Sequence, residues 1–161
     1  MHHTRWLASS RRSTKRPATS QHDFLARQRA NVPVTVTFPH PLSWWRVRPA
    51  DNFRRPDVCI ARRFLAKTAI VGEPYWFAGA SGNAAVAINV ARRVQRQGAA
   101  SLVSIDVAMT AVLCIALEGS LTAALFLAAA LKRRTHIDPR CAALSDSWLS
   151  YRPPRVIIVA T

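Results

Sequence analysis

The sequence predicts an α+β fold with a mainly helical C-terminal half, a short N-terminal β-hairpin and a poorly ordered basic arm. Residues 107–131 are almost entirely apolar and contain a single charge, Glu118, which is typical of a buried or membrane helix. Residues 84–97 place valines four positions apart, which favours a second helix. Residues 32–38 alternate apolar and hydroxyl side chains, as half-buried strands do.

Charge divides the 161 residues into three segments within what the length suggests is one domain. The chain carries 23 Lys and Arg against 8 Asp and Glu, a formal net charge of +15. Residues 1–67 form a basic arm interrupted by prolines, residues 68–131 an apolar body with three charges of each sign, and residues 132–161 a basic tail. We expect such a chain to attract polyanions, either anionic lipid headgroups or, through the arm, nucleic acid.

The hairpin is predicted from two short runs in the arm. Residues 32–38 form the first strand, the Pro-containing run 39–43 the turn, and residues 44–48 the returning strand. Residues 49–57 contain two prolines and several charges and are predicted to form a loop. Because two strands alone are marginally stable in water, this hairpin is expected either to dock on the body or to stay loose.

The first part of the body is predicted to contain a helix, a strand and a second helix. A helix over residues 58–71 is expected to end before Gly72, and residues 75–78 are a short strand candidate. Residues 79–83 form the Gly-containing turn that precedes the 84–97 helix. Gly98 is expected to terminate that helix, because glycine readily adopts the conformation that ends helices.

The long apolar run predicts a helix over 107–131 and, with it, a membrane-associated protein. As one helix it would measure about 37 Å, enough to cross a hydrocarbon core of roughly 30 Å once. Lys132, Arg133 and Arg134 follow it as a basic flank. An acid at mid-depth of a bilayer requires a partner or a proton, which makes Glu118 a candidate functional residue. Two alternatives stay open: a helix buried in a soluble protein, and a hairpin that turns at Glu118-Gly119-Ser120 and brings both basic flanks to one side.

The Gly-containing turn is the one candidate ligand site. Backbone N–H groups at the start of a helix attract anions, so Gly79, Ser81 and Gly82 could hold one. The alternative is an ordinary turn that precedes a helix.

Two motifs, Gly72-Glu73-Pro74 and Gly79-Ala80-Ser81-Gly82, resemble the Gly-His-Pro and Gly-Ala-Ser-Gly motifs of thiolases, the acetyl-CoA acetyltransferase family. The resemblance spans residues 69–118. It places residues 101–105 on the strand that leads to that family's catalytic cysteine, and coenzyme A among the ligands that the chain would bind.

The chain departs from the thiolase pattern at both catalytic positions. Glu73 stands where the family has histidine, and Asp106 stands where it has cysteine. Two carboxylates would repel the enolate on which that chemistry depends. The resemblance therefore implies a soluble, cytoplasmic and inactive acyl-CoA-binding fragment.

No residue set predicts catalysis or a cofactor, so the sequence favours a protein that is not an enzyme. Cys59, Cys114, Cys141 and His136 lack the spacing of metal ligands. The candidate functional acids are Glu73, Asp106 and Glu118. Three hypotheses remain: a small basic membrane-associated protein, a thiolase-like fragment, and an open reading frame without a selected function.

Overall fold

The computed structural model describes residues 39–97 and 101–152, and this part of the chain is mainly helical, as predicted for the C-terminal half. Two short 3₁₀ helices span Pro41–Arg46 and Ala50–Asn52. The α-helices are α1 (Arg55–Leu65), α2 (Trp76–Ala80), α3 (Ala84–Arg96), α4 (Leu102–Leu117), α5 (Leu121–Arg133) and α6 (Cys141–Ser150). No strand occurs within the described ranges.

Helix α4 lies at the centre and is surrounded on all sides. Every residue from 107 to 116 is buried, so the helix has no face directed to solvent over that stretch. Helices α1, α3 and α5 and the first 3₁₀ helix pack against it. On the outside of this arrangement, α6 packs on α5 and α2 packs on α3. Buried indole rings of Trp45, Trp76 and Trp148 complete the core.

The predicted 107–131 helix is two helices, which corrects the expectation of one continuous rod. Gly119 has φ +113°, a conformation that side chains with a Cβ rarely adopt. Its N–H donates to Ala116 O (3.1 Å) and the Ser120 N–H donates to Ile115 O (3.1 Å), which closes the end of α4. Ser120 then begins α5, since its Oγ accepts from the Ala123 N–H at 3.3 Å. The hairpin alternative is therefore the arrangement observed.

The described residues contain no helix with both the length and the apolar character needed to cross a bilayer.

The other predicted helices are confirmed with shifted ends. Helix α3 matches the 84–97 prediction, and Asn83 caps it by accepting from the Val86 N–H at 3.1 Å. Helix α1 begins at Arg55, inside the predicted 49–57 loop, and ends at Leu65 rather than near residue 71. Pro56 fits the first turn of α1 because N–H groups there have no partner within a helix.

Two predicted strands are helical turns. Residues 44–46 belong to the first 3₁₀ helix, in which Trp45 is buried, and residues 47 and 48 follow it. Residues 75–78 overlap α2. The Trp76 indole N–H donates to Thr68 O at 2.8 Å, a contact within the body that a period-two pattern cannot anticipate. The partner strand 32–38, the rest of the arm before residue 39 and the tail after residue 152 lie outside the described residues.

Two leucines of the long apolar run provide a matched test of this packing. Leu113 is 0% exposed in α4, whereas Leu125 is 48% exposed in α5. Leu113→Ala is expected to lower the free energy of unfolding by about 2–5 kcal/mol, because it leaves a cavity in the core. Leu125→Ala is expected to cost about 1 kcal/mol or less. Denaturant unfolding followed by circular dichroism measures both values, and equal losses would contradict the central position of α4.

The reactivity of the three cysteine thiols provides a second test of which residues are buried. Burial raises the pKa of the Cys114 thiol to about 12, so at neutral pH it holds its proton and is a poor nucleophile. Cys141 is also buried, whereas Cys59 is exposed. An aromatic disulfide reagent is expected to modify one thiol rapidly in the native protein and all three after unfolding. Rapid modification of all three native thiols would show that the core is open.

Candidate functional site

The candidate residues from the sequence lie in three places, and each place is organised by an arginine. Arg62 joins Glu118 to the Gly-containing turn, Arg46 binds Asp106, and Arg93 binds Glu73. The sequence does not identify these arginines as partners of the acids, because the paired residues stand 20 to 60 positions apart in the chain.

Arg62 of α1 brings together the turn after α2 and the end of α4. Its Nε donates to Glu118 Oε1 at 3.0 Å, and its Nη1 donates to the carbonyl oxygen of Ala80. Glu118 therefore has a guanidinium partner and sits at the surface end of α4. This contact links three helices through one side chain.

The Gly-containing turn uses its own N–H groups for internal hydrogen bonds. Ser81 N donates to Phe77 O, Gly82 N to Gly79 O, and Asn83 N to Ala78 O. These three N–H groups are thus engaged within the chain, and ligand binding at Gly79, Ser81 and Gly82 stays a prediction.

Both glycines of that turn have structural roles. A Cβ on Gly79 would lie 3.0 Å from the Cα of Ala87, so glycine permits the close approach of α2 and α3. Gly82 has φ +119°, which favours glycine where α2 ends.

Asp106 accepts three hydrogen bonds near the start of α4. The Trp45 indole N–H donates to its Oδ1 (2.9 Å), Arg46 Nε donates to the same oxygen (2.9 Å), and Arg46 Nη2 donates to Oδ2 (2.8 Å). This two-pronged guanidinium contact fixes the first 3₁₀ helix against α4.

Glu73 is a buried carboxylate held by a half-exposed arginine. Arg93 Nε lies 3.1 Å from both carboxylate oxygens, and Arg93 Nη2 donates to Oε2 as well. The contact ties the segment before α2 to α3. Glu73 and Asp106, the two acids that the resemblance would place at catalytic positions, thus bind different arginines, and residues 102–105 begin α4 rather than a strand. The thiolase resemblance stays a prediction.

A cleft between α3 and α5 forms a fourth candidate site that the sequence analysis did not identify. It has a volume of about 440 Å³, and we call it the arginine cleft. The residues that line it are Arg92, Gln95, Arg96, Phe126, Ala129 and Arg133. Gln95 positions one of its arginines, because its Oε1 accepts from Arg133 Nη2 at 3.4 Å and its Nε2 donates to Met109 Sδ at 2.9 Å.

The arginine cleft is cationic because its lining contains three guanidinium groups and no carboxylate. Arg92, Arg96 and Arg133 form no salt bridge to an acid among the described residues. Arg96 and Arg133 lie in the last turns of their helices, where positive charge is also stabilised by the helix dipole. Such a cleft can bind phosphate or another oxyanion by charge-assisted hydrogen bonds.

One signal for this cleft was present in the sequence. If the apolar run turns at Gly119, the basic flanks before and after it lie on one side. That arrangement brings the end of α3 and the end of α5 together.

Among residues 39–97 and 101–152, no three His, Cys, Asp or Glu side chains cluster as metal ligands would. Comparison of the chain with protein-family models, with curated proteins and with solved structures finds no match.

The two acids at the ends of α4 differ in exposure, and this difference predicts their contributions to stability. The Asp106 side chain is 13% exposed and accepts three hydrogen bonds, whereas Glu118 is 44% exposed. Asp106→Asn is expected to lower the free energy of unfolding by about 2 kcal/mol, because hydrogen bonds to a charged group are lost. Glu118→Gln is expected to cost about 1 kcal/mol or less. Denaturant titration of both variants measures this order, and a larger loss for Glu118→Gln would reverse it.

Proposed function

We propose that this protein binds the surface of anionic membranes peripherally, through the arginine cleft. The observation that carries the proposal is the lining of that cleft, in which three arginines converge without a carboxylate. Lipid phosphates and carboxylates present the oxyanions that guanidinium groups bind best. The net charge of +15 adds long-range attraction to the same surfaces.

The surroundings of the cleft favour lipid over nucleic acid. Leu121 and Leu125 are exposed on α5 and, with Ala129, continue the exposed ridge that leads into the cleft. Phe126 lies half-buried in the lining itself. Aliphatic side chains beside bound headgroups can contact acyl chains, whereas protein contacts to nucleic acid are mostly hydrogen bonds to phosphate, sugar and base edges. Because residues 107–131 form two helices, we do not propose that this run crosses the membrane as one helix.

The test is co-sedimentation with vesicles of phosphatidylcholine alone or mixed with phosphatidylserine. The wild-type chain is expected to bind the anionic vesicles and to be released by salt. The double variant Arg92→Gln, Arg96→Gln is expected to bind roughly tenfold more weakly, because each basic residue near an anionic surface contributes on the order of tenfold or less. Both side chains are exposed, so the fold is expected to be retained.

The matched control is Arg55→Gln, Arg152→Gln, which removes the same charge from exposed positions outside the cleft. Equal weakening by both double variants would show that net charge acts without the cleft. Failure of the wild type to bind anionic vesicles at low salt would overturn the proposal. Tighter binding to single-stranded RNA at equal salt, lost in the cleft variant, would identify nucleic acid as the polyanion.

A further inference from the structure

Residues 68–91 contain a single charged residue, although the protein as a whole is strongly basic. Glu73 is their one charged residue, and it points inward to Arg93. The outer surface of this stretch therefore carries no charge, although basic residues stand directly before it, at Lys67, and directly after it, at Arg92.

The segment 71–77 exposes apolar side chains in a regular order. Ile70, Glu73, Trp76 and Gly79 are buried, so every third residue points inward. The residues between them face solvent, and the large apolar ones are Val71, Tyr75 and Phe77. Val71 is fully exposed, at the tip of a bend in which Gly72 has φ +84°. Large apolar side chains that are exposed and close together in the chain are typical of an interaction site.

Internal contacts hold these side chains outward. The Trp76 indole donates to Thr68 O at 2.8 Å, and the Glu73 N–H donates to Ile70 O at 3.2 Å. The Glu73 carboxylate is anchored by Arg93 of α3. These contacts fix Glu73 and Trp76 at inward positions, and Val71, Tyr75 and Phe77 stay exposed.

The composition of this surface matches the interface of an anionic bilayer. Valine and phenylalanine favour the acyl region, and a tyrosine ring suits the boundary, where its body is apolar and its hydroxyl reaches water. The basic residues that flank the stretch in the chain, Arg63 and Lys67 before it and Arg92 after it, are exposed, and long basic side chains can reach headgroups. Exposed apolar side chains flanked by basic residues form a pattern that anionic lipid complements.

We infer that the segment 71–77 inserts into the interfacial layer of anionic membranes, with Val71, Tyr75 and Phe77 as the inserted side chains. The inference rests on the proposed function and adds the element that enters the lipid. Helix α3 connects the two surfaces, since Arg93 anchors the segment while Arg92 and Arg96 line the arginine cleft.

A dye that responds to polarity tests insertion directly. Val71→Cys in a Cys59→Ser background carries one exposed thiol, because Cys114 and Cys141 are buried. A nitrobenzoxadiazole label there is expected to brighten and shift to the blue with phosphatidylserine-containing vesicles. The same label at Leu149→Cys, an exposed position on α6, is expected to change little.

Substitutions give a second, label-free measurement. Val71→Ser with Phe77→Ser is expected to weaken vesicle binding by about tenfold at intermediate salt, where screening lowers the electrostatic contribution but the wild-type chain still sediments. Leu149→Ser is the control and is expected to leave binding unchanged.

The outcomes separate the two proposals. If the wild type sediments with anionic vesicles but neither the label at position 71 nor the double serine variant responds, insertion is wrong and headgroup binding stands. If the wild type does not sediment, both are wrong. If the label brightens equally on purely zwitterionic vesicles, the segment inserts without the anionic selectivity that its basic flanking residues imply, and that part of the inference is overturned.

Discussion

The burial of α4 on every side is the constraint from which the rest of the described structure follows. Ten consecutive buried residues leave no face for water, so neighbours must cover the helix all round. Its one buried polar side chain, Thr110, lies with its hydroxyl within hydrogen-bonding distance of Asp106 O (2.7 Å) and Leu42 O (3.0 Å). Charge appears only at its two ends, where Asp106 and Glu118 meet arginines from other elements. The acids thus mark the positions where the core reaches the surface.

Arginine serves two purposes in this protein. Five carboxylates among the described residues form ion pairs, and each of these pairs uses a guanidinium group. A planar guanidinium can bind both oxygens of a carboxylate, which suits it to contacts that join separate helices. Most other arginines of the described residues are exposed, and three of them, Arg92, Arg96 and Arg133, line the arginine cleft between α3 and α5. The same residue type therefore stabilises the fold and creates its cationic site.

Helix α3 connects the two features on which the proposed membrane binding rests. One side of its C-terminal half contributes to the arginine cleft, and the neighbouring position, Arg93, anchors the apolar 71–77 segment. Electrostatic attraction and apolar contact are the two contributions that together give lasting attachment to a bilayer surface. Glu73 belongs to this arrangement as a structural anchor, which gives that acid a role without catalysis.

Local signals determined the position of α3 and the point at which the long apolar run divides. The valine spacing predicted α3, and the sequence Gly119-Ser120 contained the stop and start that divide the apolar run, although its continuous apolarity favoured a single rod. Only the tertiary structure decided what surrounds those helices. An apolar run has the same sequence pattern whether lipid or protein covers it. Short aromatic stretches such as 75–78 adopt the conformation that their packing requires. The pairing of Asp106 with Arg46 joins residues 60 positions apart, a distance that no local pattern spans. Hydrogen-bonding and capping preferences act over a few residues, whereas ion pairs and core contacts depend on how the chain folds back on itself.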